Sequence, residues 1–111
     1  MAIEETDTID TIGVDPDSGC VYVTVLDSHD WRRPKEHLRL WQAKFNTYID
    51  FVKTGQLPEV DPEYAGRPVV IHLVMRFEPS PLGRRALDEL ARVIHGQGLG
   101  FEAEVSPDED E

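Results

Sequence analysis

The chain has 111 residues, 40% of them hydrophobic, and carries a formal net charge of -11. That length fits one domain around one core, and no run of about 18 apolar residues is available to span a membrane. Cys20 is the only cysteine, which excludes an intrachain disulfide and a thiolate zinc cluster and suits a reducing compartment.

The first predicted element is a strand over 8–14, with Ile12 and Val14 on one face, and the turn-forming run Asp15-Pro16-Asp17-Ser18-Gly19 leads into a hairpin. Cys20 to Leu26 is the second strand. Val21, Val23 and Val25 share the side expected to meet the helices, while Cys20, Tyr22, Thr24 and Leu26 share the other. Asp27-Ser28-His29-Asp30-Trp31 then reads as a polar loop, and Pro34 suits the first position of a helix, where its missing N–H costs nothing. This helix is expected to reach about Thr54, with Leu38, Trp41, Phe45, Tyr48, Ile49 and Val52 as its core stripe and Gly55 as its stop. Leu40 and Phe51 fall off the stripe.

Residues 56–68 contain three prolines and the acids Glu59, Asp61 and Glu63 and read as a long loop. Leu57 and Tyr64 would let it wrap the core edge, or Tyr64 would mark a binding site. Val69 to Phe77 is the central strand: Val69, Ile71, Leu73, Met75 and Phe77 alternate with Val70, His72, Val74 and Arg76. Ser80-Pro81 opens a second helix with the stripe Leu87, Leu90, Ala91 and Ile94, and Gly96 and Gly98 close it. In the last strand, Leu99 to Val105, Phe101, Ala103 and Val105 oppose Glu102 and Glu104. The expected fold is therefore α+β, in the order β-β-α-β-α-β, with one four-stranded mixed sheet and both helices on one face. The domain spans 1–105, and 106–111 form an acidic tail too poor in apolar groups to fold alone.

Charge is unevenly placed. Glu4, Glu5, Asp7 and Asp10 lie at one end and Asp108 to Glu111 at the other, whereas Arg32, Arg33, Lys35, Arg39, Lys44 and Lys53 outnumber Asp30, Glu36 and Asp50 between 30 and 55. Overall acidity disfavours nucleic acid and anionic membrane and favours a basic protein partner, although solubility alone also explains it. Met1-Ala2-Ile3-Glu4-Glu5 lacks the basic start and apolar run of a leader, so a cytoplasmic location is expected.

The densest polar group is Asp27, Ser28, His29 and Asp30, with Glu36 and His37 nearby. Asp27, His29 and Asp30 are the candidate catalytic or metal-binding residues, His29 as a base oriented by Asp27. Their spacing matches no metal motif, Ser28 sits in no nucleophile elbow, and Asp and Ser are common where a helix starts. The more economical expectation is a capping role. Gly96-Gln97-Gly98-Leu99-Gly100 ends a helix where a phosphate loop would begin one. No metal site and no cofactor are expected. The sheet face away from the helices would present Tyr22, Thr24, Val70, His72, Val74, Arg76, Glu102 and Glu104, with Arg76 placed to pair with a glutamate.

The chain resembles a bacterial family of small, acidic, single-domain proteins of unknown function. The likeness rests on Ile9-Asp10-Thr11-Ile12-Gly13-Val14-Asp15, Asp27-Ser28-His29-Asp30-Trp31, Glu36-His37-Leu38 with Gln42, Asn46 and Tyr48, Phe51 to Leu57, and Gly98-Leu99-Gly100-Phe101. It implies a bacterial intracellular domain and brings no catalytic residue with it. The chain differs from that pattern at Arg32-Arg33-Pro34-Lys35, basic where the family carries acids. The leading functional expectation is a non-enzymatic interaction module, immunity- or antitoxin-like or an accessory subunit, binding through Tyr22, His72, Val74 and Arg76 or through Tyr64. The alternatives are a small metal-assisted or acid–base enzyme using Asp27, His29 and Asp30, and a homodimer or larger structural oligomer built through the open sheet face.

Overall fold

The computed structural model describes residues 11–106. The acidic stretch 1–10, with the first three residues of the expected opening strand, and the tail 107–111 lie outside the described residues. Within them the order is β1 (Thr11–Val14), β2 (Val21–Asp27), α1 (Pro34–Lys53), the single turn α2 (Leu57–Val60), a 3-10 turn at Pro62–Tyr64, β3 (Val69–Met75), α3 (Pro81–Gly96) and β4 (Gly100–Val105). The chain is α+β around one four-stranded sheet in the order β1-β2-β3-β4, antiparallel for the first pair and parallel for the others.

Sheet register follows from the valine and leucine alternation. Val21, Val23 and Val25 pair with Val69, Ile71 and Leu73, and of these six all but the half-buried Val69 are fully buried. A one-residue slip would send the whole row to solvent, so burial of one face holds the register. Trp41, Phe45 and Tyr48 of α1 and Ile94 of α3 complete the same core. The Tyr48 hydroxyl donates to the Thr24 carbonyl at 2.6 Å, and the Phe45 ring meets Phe101 of β4 edge-on at 6.0 Å. Helix α3 starts where Ser80 Oγ accepts the Gly83 N–H at 3.1 Å, satisfying one of the orphan donors of its first turn.

Four expectations are corrected. Asp27 belongs to β2 and not to the loop, because the strand runs one residue beyond the last apolar one. Phe77 is 43% exposed and outside the core: β3 ends at Met75, whose carbonyl receives the Ser106 N–H, and the chain bends away. The fully buried stripe of α1 keeps Trp41, Phe45 and Tyr48 and adds His37 and Lys44, with Leu38, Ile49 and Val52 half-buried against the core. The helix is thus rotated so that two polar residues face inward. The stretch 56–68 is not plain loop but two short helical turns, which bury Leu57 and half-bury Tyr64 against the core. Arg67 ties this stretch to the hairpin, donating from Nε to the Glu63 carbonyl and from Nη1 to that of Gly19.

Candidate functional site

Two places gather polar side chains, one at the C-terminal end of β2 and one on the open sheet face. The first is built on Asp27. Since side chains alternate along a strand, Asp27 points to the same side as Val21, Val23 and Val25 and enters the core. There Oδ2 accepts Trp41 Nε1–H at 2.8 Å and lies 2.6 Å from His37 Nε2, while Oδ1 accepts the His29 backbone N–H at 3.0 Å. His37 and Trp41 reach it together because residues four apart share one side of a helix.

The protons of His37 can be counted from its partners. Nδ1 lies 3.0 Å from the Asp30 carbonyl oxygen, which can only accept, so Nδ1 carries a hydrogen. A further proton lies between Nε2 and the Asp27 carboxyl group. Two other N–H groups donate to Asp27, so both of its oxygens are engaged. The side chains of the pair are 1% and 2% exposed. Trp31 covers the imidazole, stacked at 3.8 Å between centroids with 17° between planes, and Trp41 meets both rings edge-on. Trp31 also packs closely on Gly83: a Cβ there would lie 2.8 Å from the indole Cη2.

The three candidate residues of this junction are held in different ways. Asp27 turns inward. Asp30 stays exposed, its carboxylate 3.1 Å from Arg32 Nε, and only its main-chain carbonyl joins the buried pair. The His29 ring lies 5.7 Å from that of His37. A neighbouring hollow of about 540 Å³ is lined by His29, Asp30, Arg32, Arg33, Glu36, His37 and Leu40, and its charges are matched locally, Arg32 with Asp30 and Arg33 with Glu36. Among the described residues no group of three or more His, Cys, Asp or Glu side chains is placed to hold a metal ion.

The second place is the sheet face opposite the helices. Here Gly13, Tyr22, Val70 and Gly100 form one cross-strand row, Thr11, Thr24, His72 and Glu102 the next, and Leu26, Val74 and Glu104 a third. Two diagonals cross it: the Tyr22 hydroxyl donates to Glu102 Oε2 at 2.8 Å, and His72 Nε2 contacts Glu104 Oε2 at 2.7 Å. Tyr22 and His72 also meet ring edge to ring face at 5.7 Å. The hydrogen bond to Glu102, then burial and the charges of Glu102 and Asp15, push the Tyr22 phenol up to about 12. Val74 is half-buried in the third row. Arg76 lies just past β3 and gives its backbone N–H to the Asp27 carbonyl. Tyr64 is away in the 3-10 turn, packed on the core edge. Tyr22, His72 and Val74 thus share one surface with both glutamates, and Tyr64 does not join them.

A family model described as a family of unknown function, DUF6572, matches residues 1–107, and the chain belongs to that family. No curated protein and no solved structure matches it. No helix among the described residues is long and apolar enough to cross a membrane.

Proposed function

We propose that this member of the DUF6572 family is a non-enzymatic module of the bacterial cytoplasm that binds a basic protein through its open sheet face, as an immunity- or antitoxin-like protein or as an accessory subunit. The observation that carries this reading is the ordered face itself, where Tyr22 and His72 are each fixed to a glutamate on β4. Side chains held in one geometry before binding lose little entropy on association, and aromatic groups anchor interfaces most often. The glutamates and the net charge of -11 favour a partner rich in Lys and Arg. The acid–base enzyme reading is weaker. Asp27 already accepts from three groups, and its histidine partner is roofed by Trp31, so both are engaged in holding the fold.

Affinity capture from the native lysate at low salt, with the captured protein identified and then purified, tests the reading. Tyr22→Ala is expected to weaken that binding at least about tenfold, the loss typical of an interface anchor. If Tyr22→Ala and Arg76→Ala both keep the partner while Tyr64→Ala loses it, the binding surface is the turn-rich segment. A wild-type chain that captures nothing and turns over a substrate ends the proposal.

A further inference from the structure

We infer that the open face holds a seat for one cationic side chain, guanidinium or ammonium, presented by the partner protein; this rests on the interaction-module reading above. The seat is a hollow of about 420 Å³ beside β1, lined by Thr11, Gly13, Val14, Asp15, Tyr22 and Thr24. Its floor is Gly13, directly opposite Tyr22 in the ladder. Among the described residues, a Cβ placed on Gly13 would meet nothing within 4 Å, so any larger residue would occupy the space that glycine leaves.

The walls define what fits. Tyr22 lines the hollow, with its hydroxyl held by Glu102 and its ring by the contact with His72. A cation seated over Gly13 is thus beside an aromatic side chain whose hydroxyl already donates to a carboxylate, a neighbour that attracts positive charge. At the end of β1 stands the carboxylate of Asp15, oriented by the Ser18 hydroxyl at 2.8 Å. That hydrogen bond leads the causes that hold the Asp15 carboxyl below its usual range. An anion would be repelled by Asp15, and an apolar side chain would strip water from Asp15 without replacing it. A basic side chain satisfies both walls, its methylene stem over Gly13 and the threonines and its charged head at Asp15.

The test is a two-dimensional amide NMR titration of the full chain with the blocked tripeptide Gly-Arg-Gly, and with the same tripeptide carrying citrulline, which keeps the shape and loses the charge. The arginine peptide is expected to shift Thr11, Gly13, Tyr22 and Thr24 at millimolar concentration, and the citrulline peptide to bind at least about fivefold more weakly. Gly13→Val, which suits a strand, fills the hollow and should weaken arginine binding about tenfold. Asp15→Asn keeps an acceptor for Ser18 and should weaken it about threefold. Thermal melts confirm that both variants fold, and Gly13→Ala replaces the valine variant if it does not. Equal binding of the two peptides, shifts centred elsewhere, or none up to about 10 mM would overturn the seat. The two readings fail separately: a captured partner that loses affinity with Tyr22→Ala but ignores Gly13→Val and Asp15→Asn removes the seat and leaves the module.

Discussion

Asp27 shows how one carboxylate can order a junction. It joins the end of β2, the loop at His29 and two successive turns of α1, so removing it strands donors in a dry interior. Asp27→Ala leaves His37 and Trp41 with N–H groups facing no acceptor, and is expected to cost about 3 to 5 kcal/mol. His37→Ala should cost a similar amount, and the double variant clearly less than the sum, because each single change already breaks the shared contact. Chemical denaturation of the four proteins measures this; additive losses would mean that the pair is not coupled. Tyr22 gives a second residue-scale prediction. The bond to Glu102 pushes its phenol up to about 12 from an ordinary 10.0, so the protonated form is favoured by folding. The associated stability is fully present below pH 10.0, declines as pH rises, and is gone above about 12. Ultraviolet difference titration against Tyr22→Phe should place this transition above that of an ordinary tyrosine, and Glu102→Gln should bring it down. A Tyr22 transition at the ordinary value in the wild type would mean that the bond to Glu102 does not persist in solution.

At the scale of elements, legibility in the sequence followed the hydrophobic period. The valine row of β2, the alternation of β3 and the Ser80-Pro81 start of α3 are local signals, and each places its element. What failed was a boundary set by polarity. Asp27 continues the inward parity of Val21, Val23 and Val25, yet its charge reads as loop. Only its partners, ten and fourteen residues later on α1, make burial affordable, and pairing at that distance leaves no period to detect. The same contact explains the rotated stripe of α1, where His37 sits in a row that apolar counting assigns to Leu38. Of the candidate surface, Tyr22, His72, Glu102 and Glu104 could be placed together from alternation alone. Their pairing could not, because the glutamate met by each side chain depends on the relative register of β2, β3 and β4.

For the whole molecule, the fold puts the helices on one side of the sheet and leaves a face with two glutamates on the other, while further acids occupy both ends of the sequence. Such a charge distribution acts first on encounter. Exposed charges are screened over about 10 Å at 0.1 M ionic strength, so a basic partner should associate much faster in low salt than in high salt. Contacts that close over Tyr22 and His72 are short-ranged and partly shielded from water, and should govern dissociation instead. Deleting residues 107–111 removes Asp108, Glu109, Asp110 and Glu111 and leaves every residue of the sheet face in the chain. Stopped-flow measurement with the purified partner should therefore show a slower association rate for the truncated chain at low salt, a difference that shrinks as salt rises, and a dissociation rate close to that of the full chain. Tyr22→Ala should show the reverse, with nearly unchanged association and faster dissociation. If the truncation chiefly accelerates dissociation, the acidic end is part of the bound interface, and the sheet face is not the sole anchor.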